Sequence, residues 1–126
     1  MNWLLVALGG AIGATFRYGA GIWFVKPSGL FPWTTWSVNV LGCFLAGAFF
    51  AFTQKYPFLQ NETRLFLMVG ILGGFTTFSS FGLETFQLLK QGQMTLAIAY
   101  ALSSLVIGVI ALAIGFYIFQ FVLQAK

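Results

Sequence analysis

Four long apolar stretches, separated by short polar segments, dominate the pattern of this chain. They cover roughly residues 3–25, 35–54, 65–89 and 95–123. About 20 apolar residues cross the hydrocarbon core of a bilayer as a helix, so each stretch is long enough for one span. The pattern therefore predicts an all-α membrane protein, organised over residues 1–126 as a single four-helix transmembrane domain.

The connections between these stretches are short. The first lies near residues 26–32, the most polar one covers residues 56–64, and the third is the segment 90–93. Short connections predict that sequential helices are antiparallel neighbours. Trp3 and Trp23 bracket the first stretch at a separation of about 30 Å of helix rise, which fits the preference of tryptophan for the two membrane interfaces.

The composition supports a membrane protein and excludes several other classes. The chain is 60% hydrophobic and 6% charged, whereas soluble domains carry about 25% charged residues. There is no run of basic residues, so nucleic-acid binding is not indicated. With one cysteine, Cys43, and no histidine, the chain has no internal disulfide, His/Cys metal cluster or histidine-based catalytic triad. It also lacks a nucleotide-binding glycine loop, so we do not expect an enzyme.

No positive side chain precedes the first apolar stretch, and Arg17 lies inside it. We therefore expect no cleaved signal peptide, and the simplest location is the inner (plasma) membrane of a bacterium. Four spans place both termini on one side of the membrane. That side would carry Lys55, Arg64 and Lys126, and the other side Lys26 and Lys90.

This near balance of positive charge leaves two interpretations of orientation. Another feature of the chain fixes one orientation, or copies insert in both orientations and pair antiparallel. We favour the second interpretation, dual topology, because a four-helix chain of this size encloses little by itself.

The middle of the third stretch, Gly73-Gly74-Phe75-Thr76-Thr77-Phe78-Ser79-Ser80-Phe81, contains two adjacent glycines and four hydroxyl residues. These are poor helix formers. Lipid offers no hydrogen-bond partners for the backbone groups that a break would expose, so such a segment must be buried in protein or face a water-filled cavity. The sequence predicts a site here for something small and polar.

Two further polar residues lie inside apolar stretches, where each costs free energy. Arg17 fits two compatible interpretations: it snorkels to the interface, or it attracts anions at the mouth of an aqueous vestibule. Asn39 fits a hydrogen bond to a neighbouring helix, which is the commoner use, or donation to a passing anion. On its own, the pattern favours the structural role for Asn39.

Glu84 lies towards the end of the third stretch, within helical reach of Ser80. It fits a hydrogen-bond cap, a polar step in a pore, or a proton-coupling acid. The last is least favoured because no second acid or histidine is available within a span to complete a relay. Tyr100 and Ser104, one turn apart on the fourth stretch, add two hydroxyls on a single stripe.

Phe78 and Phe81 share one face if a helix resumes after the break. Their spacing alone favours ordinary packing, although the positive edge of an aromatic ring can also contact an anion without holding it tightly. Gly9 and Gly13 form a G-x-x-x-G pair, which indicates close helix contacts within the chain or between copies.

These residues together resemble the Fluc/CrcB family of small bacterial fluoride channels over nearly the whole chain. The resemblance includes residues 10–14 with Arg17 in the first stretch, and Val38-Asn39 with Gly42 in the second. Its most specific part is the segment 73–81 together with Glu84.

The resemblance implies a passive channel that exports cytoplasmic fluoride, built as an antiparallel dual-topology homodimer with two pores. The third helix would be broken at its centre. A structural sodium ion would lie at the dimer interface, bound by the backbone carbonyls of Gly73 and Thr76. The implied partners are the fluoride ion, a second copy of the chain and membrane lipid.

The resemblance also implies roles for individual residues. Arg17 would lie at a vestibule, and the pore or fluoride contacts would come from Asn39, Phe78, Phe81, Ser79, Ser80, Glu84, Tyr100 and Ser104. One departure concerns the fourth helix, where family members often carry further hydroxyls. This chain has Gly108 and Leu112 at the corresponding depth, so the fourth helix supplies no hydroxyl for the far end of the polar track at these positions.

The alternative function is a small proton-coupled exporter of the multidrug-resistance type, also with four spans. Such proteins need a carboxylate in the first span, where this chain has Arg17 and no acid. A third class, a non-transporting assembly subunit, would leave the Thr/Ser cluster and Asn39 unexplained.

Overall fold

The computed structural model describes residues 1–24 and 29–125. The end of the first predicted stretch at Val25, the predicted turn residues Lys26, Pro27 and Ser28, and the cation Lys126 lie outside the described residues. Within the described part, the chain is helical and contains no strand.

The prediction of four apolar helices is confirmed. Four helices are long and apolar enough to cross a membrane, namely Asn2–Trp23, Trp33–Lys55, Glu62–Lys90 and Met94–Gln124. We refer to them as the first, second, third and fourth spans. Each observed end lies within a few residues of the predicted one.

Two of the spans contain segments of wider helix. In the first span, the α-helix Asn2–Gly19 continues as the π-helical segment Ala20–Phe24. The third span consists of four segments in chain order: the α-helical turn Glu62–Arg64, the π-helical segment Leu65–Leu72, the α-helical turn Gly73–Phe75 and the α-helix Phe78–Lys90. A 3₁₀ turn, Pro57–Gln60, precedes the third span.

The second and fourth spans pack along one another. Glycines allow this close approach, because a Cβ atom at Gly47 would collide with the Leu112 carbonyl and one at Gly115 with the Phe44 carbonyl. Backbone therefore contacts backbone, as is typical of small-residue contacts between membrane helices.

The first span packs against the first half of the third. A Cβ atom at Gly13 would collide with the carbonyl of Ile71, and one at Gly74 would lie 2.5 Å from the carbonyl of Gly10. The Gly9–Gly13 pair thus makes its close contacts within the chain. This packing fixes the register between the first span and the segment 73–81.

The third span ends in a tight turn that connects it to the fourth span. Gly92 has φ +77°, and its amide donates to Leu89 O at 3.0 Å while Gln93 N donates to Leu88 O at 2.8 Å. This is the Schellman pattern, in which glycine adopts the left-handed conformation just after a helix. The third and fourth spans are therefore antiparallel neighbours.

The chain buries little of its apolar surface by itself. Only 11% of the most apolar 18-residue window is buried in the first, third and fourth spans, against 39% in the second. The local core consists of Leu88, Ala97 and Tyr100. Lipid or another protein surface must cover the remaining apolar faces.

Candidate functional site

Thr76 and Thr77 interrupt the helical backbone of the third span. Thr76 has φ −86° and ψ 158°, and Thr77 has φ −150° and ψ 125°, so both residues are extended. The interruption is capped locally on both sides. The Thr76 hydroxyl donates back to Leu72 O at 2.8 Å, and the Thr77 hydroxyl accepts from Ser80 N at 3.2 Å as an N-cap.

Asn39 binds the backbone of Thr77 from the second span. Its side-chain Nδ2 donates to Thr77 O at 3.0 Å, and Thr77 N donates to Asn39 Oδ1 at 2.8 Å. The carboxamide thereby bonds to both the carbonyl and the amide of Thr77, a contact of the kind that the structural interpretation of Asn39 expects. A carboxamide carries two N–H donors, so one N–H remains after the bond to Thr77.

Arg17 reaches the same segment from the first span. Its Nε donates to the carbonyl of Gly74 at 3.1 Å, and the bond is partly buried. In a continuous α-helix this carbonyl would accept from the amide of Phe78. Because two extended residues separate Gly74 from the next helix, the guanidinium supplies the donor instead.

The carbonyls of Gly73 and Thr76 also lose the amide donors that they would have in a continuous helix. In a continuous helix, their carbonyls would accept from the amides of Thr77 and Ser80. Those two amides instead donate to Asn39 Oδ1 and to the Thr77 hydroxyl. The chain thus has two carbonyl oxygens at the interruption whose regular donors are used elsewhere.

An open groove of about 430 Å³ lies beside the interruption. Six of the predicted site residues line it, namely Asn39, Gly73, Thr76, Phe78, Phe81 and Ser104. The Ser104 hydroxyl oxygen is buried and has no hydrogen-bond partner within the described residues. The groove therefore combines apolar walls with a few convergent polar groups, which is typical of a binding site for a small species.

The phenylalanine rings stand at the mouth and the wall of this groove. The Phe78 side chain is 82% exposed, whereas Phe81 is partly buried. Their ring centroids lie 5.7 Å apart, and the ring of Phe81 lies 5.1 Å from that of Tyr100. The two rings therefore form a connected pair on one face of the helix Phe78–Lys90.

Tyr100 and Glu84 form a separate polar pair behind that wall. The Tyr100 hydroxyl donates to Glu84 Oε1 at 3.1 Å. Tyr100 is fully buried at 0% exposure, held between Phe81 and Phe31, whose ring centroid lies 5.4 Å from that of Tyr100 in an edge-to-face arrangement. The carboxylate thus has a defined partner on the fourth span.

A second cavity, of about 300 Å³, also adjoins the interruption. Its polar lining comes from Arg17, Tyr18, Thr34, Thr35, Thr77 and Ser80. It shares Thr77 with the groove, so the extended segment contributes to the lining of both spaces. Ser79 is exposed at this level, and its hydroxyl lies 3.4 Å from that of Thr77.

The structure thus gathers the predicted site residues around one segment, with two exceptions. Glu84 and Tyr100 lie outside the segment 73–81 and, like Ser79, line neither the groove nor the second cavity. At the far end of the groove, Leu112 forms part of the wall, and a Cβ atom at Gly108 would lie 3.3 Å from Cys43 Sγ. This end therefore has apolar atoms and a thiol beside it rather than hydroxyls of the fourth span.

Sequence reasoning missed Thr77 as the residue that both cavities share. Its signal is a threonine at the start of a helix, where a side-chain oxygen caps the first turn. It also missed the bond from Trp36 Nε1 to Ser103 Oγ at 3.0 Å, which joins the second and fourth spans near Tyr100.

Comparison with known proteins agrees with this arrangement. The family described as "CrcB-like protein, Camphor Resistance (CrcB)" matches residues 4–116. The chain belongs to the CrcB family.

Curated relatives extend the match over nearly the full length. A protein of Thermus thermophilus is 48% identical over 116 residues, covering 91% of both chains. One of Agrobacterium fabrum is 45% identical over 91% of this chain and 93% of its own. One of Methylobacillus flagellatus is 40% identical over 97% of each chain. All three carry the name "Fluoride-specific ion channel FluC".

The four apolar helices and the membership in the CrcB family make this chain a multi-pass membrane protein of a bacterial family. The relatives are named as ion channels, a class distinct from enzymes.

Proposed function

We propose that this chain forms a passive, fluoride-selective channel that exports fluoride from the bacterial cytoplasm and confers resistance to it. The observation that carries the proposal is the shared name of relatives that are 40% to 48% identical over at least 91% of the chain. The groove and the interrupted third span support it independently. No catalytic role is proposed.

We further propose that the third span is a membrane helix broken at its centre. The extended dihedral angles of Thr76 and Thr77 support this. So do the polar partners from two other spans, because a break inside a membrane persists only where protein or water satisfies the freed backbone groups.

A second copy of the chain in antiparallel orientation would complete the site. Gly73 and Phe78 line the groove and are both exposed, so the third span leaves this face open to another surface. Two copies related by a two-fold axis in the membrane plane would bring these faces together. The near balance of positive charges on the two sides supports such dual topology.

A structural sodium ion fits the carbonyls of Gly73 and Thr76. Both oxygens are freed from their regular donors because Thr77 N and Ser80 N bond to side chains. Carbonyl oxygens are hard ligands suited to such a cation. Within one copy, the two carbonyls provide only part of a coordination shell, which supports a site shared between two copies. The ion would neutralise oxygens that face one another.

Fluoride is small and strongly hydrated, so a path for it must replace water with hydrogen-bond donors. The Ser104 hydroxyl and the second N–H of Asn39 would donate within the groove. The positive edges of Phe78 and Phe81 would contact the ion without retaining it, as conduction requires. Arg17 and Ser80 would serve the second cavity as an electropositive entry, with Ser79 beside it.

Glu84, Tyr100 and Ser104 would form the remaining polar track. The Tyr100 hydroxyl already donates to Glu84, so we propose that these two residues mainly shape the wall behind Phe81.

Glu84→Gln tests the alternative function, since a proton-coupled exporter would lose transport and its dependence on a pH gradient together.

The deciding experiment is fluoride efflux from liposomes that contain the purified protein, followed with a fluoride-selective electrode and with chloride in parallel. We expect fast fluoride efflux without chloride efflux and without a proton gradient. Liposomes without protein serve as the control. Folded protein that passes no fluoride would refute the proposal and direct the work to drug–proton exchange.

A further inference from the structure

We infer that Arg17 is a positioning residue, whose Nε–H holds the carbonyl of Gly74 and thereby sets the path of the extended segment. This role differs from that of a positive charge at an entry, which needs no particular atom of the guanidinium. The inference rests on the proposed function only for its transport measurement.

The first observation is the bond itself. Arg17 Nε lies 3.1 Å from Gly74 O across a sequence separation of 57 residues. A hydrogen bond from a charged donor contributes more than a neutral one. The acceptor is a carbonyl that has lost its helical donor, and inside a membrane lipid offers no replacement.

The second observation is that backbone packing fixes where Arg17 starts. A Cβ atom at Gly74 would lie 2.5 Å from Gly10 O and 3.1 Å from Ala14 N. The first and third spans therefore touch at these glycines, and Arg17 follows Gly13 by one helical turn. Its side chain reaches Gly74 from a position that cannot shift without separating the two backbones.

The third observation is that the extended segment is held at both ends. Arg17 holds Gly74 before it, and Asn39 holds Thr77 after it. Thr76 lies between these two points and lines the groove, whereas Thr77 lines both cavities. Release of Gly74 would therefore displace the carbonyls and hydroxyls of the site even though Arg17 itself lies outside the groove.

The role of Nε can be separated from the role of charge. Lysine keeps the charge as a compact ammonium on a flexible stem but lacks the planar guanidinium and its Nε–H. A positioning role predicts that Arg17→Lys behaves like Arg17→Gln. A role of charge alone predicts that Arg17→Lys behaves like the unmodified protein.

Arg64 offers a matched control within the chain. Its Nε also donates to a backbone carbonyl, that of Gln60 at 3.3 Å, but at the exposed start of the third span and only four residues away. Arg64→Lys and Arg64→Gln remove the same kind of bond without touching the interruption.

The experiment measures the initial rate of fluoride efflux against fluoride concentration for all four variants. We expect Arg17→Lys and Arg17→Gln to lower the maximal rate by about tenfold or more, with an unchanged half-saturating concentration. The Arg64 variants should match the unmodified protein. Near-normal efflux in Arg17→Lys, with a raised half-saturating concentration only in Arg17→Gln, would overturn the inference in favour of charge attraction.

A measurement that does not need transport accompanies it. Amide hydrogen exchange in detergent micelles should be about tenfold faster or more in a peptide covering residues 73–81 of Arg17→Lys, and unchanged in a peptide from the fourth span. If exchange changes but the unmodified protein passes no fluoride, the proposed function fails and the positioning role stands. If efflux is normal in the unmodified protein and Arg17→Lys changes neither measurement, only the positioning role fails.

Should Arg17→Lys not fold, the acceptor can be weakened instead. Replacing the peptide bond between Gly74 and Phe75 by an ester makes the Gly74 carbonyl a poorer acceptor, removes the N–H of Phe75 and leaves Arg17 in place. The same slower efflux and faster exchange are expected, and their absence would overturn the inference.

Discussion

In a regular helix, the amide and the carbonyl of each residue bond to other peptide groups. At Thr77, the side chain of Asn39 bonds to both instead. It donates to the carbonyl and accepts from the amide of the same residue. Few side chains other than a carboxamide can do both, because aspartate only accepts when ionised and leucine does neither. The residue type at this position therefore follows from the geometry of the backbone it faces.

Substitution of Asn39 by leucine should destabilise the protein and stop transport. The change leaves both backbone groups of Thr77 without partners, at about 1–3 kcal/mol for each buried group. We expect a lower thermal unfolding midpoint in detergent and fluoride efflux reduced by more than tenfold. Asn61→Leu is the matched control, because Asn61 lies in an exposed connection and makes no side-chain cap bond. Equal effects of the two substitutions would contradict this assignment.

Substitution of Phe78 or Phe81 by isoleucine separates the bulk of the ring from its positive edge. Isoleucine retains an apolar side chain but has no aromatic quadrupole. We expect efflux to fall while the size of the assembly, measured by size-exclusion chromatography, is unchanged. Phe86→Ile is the control, since Phe86 lies on the same helix and is 60% exposed. Normal fluoride flux in both variants would refute the role of the ring edge.

At the scale of the helices, glycines determine which backbones touch. A Cβ atom at Gly13 would collide with Ile71, whereas a Cβ atom at Gly10, a neighbouring glycine of the first span, would meet nothing within 4 Å. Two glycines three residues apart on one helix thus serve different purposes.

This difference predicts a sharp contrast between Gly13→Ala and Gly10→Ala. The first substitution forces the first and third spans apart, because the methyl group would collide with the Ile71 carbonyl, and overpacking of this kind costs typically about 1–3 kcal/mol. The second should be neutral or slightly stabilising. Unfolding midpoints in detergent provide the comparison, and a destabilisation of similar size in both variants would show that the contact is not responsible.

Much of the helical arrangement could be predicted from the sequence. Hydropathy located all four spans, because that signal is local, and the glycines and threonines of the segment 73–81 drew attention to the place where Thr76 and Thr77 are extended. The π-helical segment Leu65–Leu72 could not be predicted, since nothing in its apolar sequence distinguishes a π-helix from an α-helix. The partners of Gly74 and Thr77 were equally inaccessible. They lie 57 and 38 residues away, and only the register of packed helices brings them within reach.

For the molecule as a whole, the near balance of positive charges bears on how copies enter the membrane. Under the proposed dual topology, Gln91→Lys with Gln93→Lys adds charge to one side, and Gln60→Lys with Glu62→Lys adds charge to the other. By the positive-inside rule each variant should insert in a single orientation.

Each of these variants expressed alone should lose most of its fluoride export, because antiparallel pairs need both orientations. Expression of the two together should restore export, measured as growth in fluoride-containing medium and as efflux from membrane vesicles. Full export by either variant alone would contradict the antiparallel assembly. Cells that carry two genes for the same charge-biased variant provide the control for expression level.

The positions of Arg17 and Asn39 along the chain have a consequence for biosynthesis. Both precede the segment 73–81, so the ribosome delivers that segment after the first two spans have already been made. Arg17, the partner of the Gly74 carbonyl, and Asn39, the partner of the Thr77 amide and carbonyl, have therefore already been synthesised when this segment enters the bilayer. The carbonyls of Gly73 and Thr76, whose regular helical donors bond to side chains instead, are the groups that a second, independently translated copy would complete in the proposed assembly.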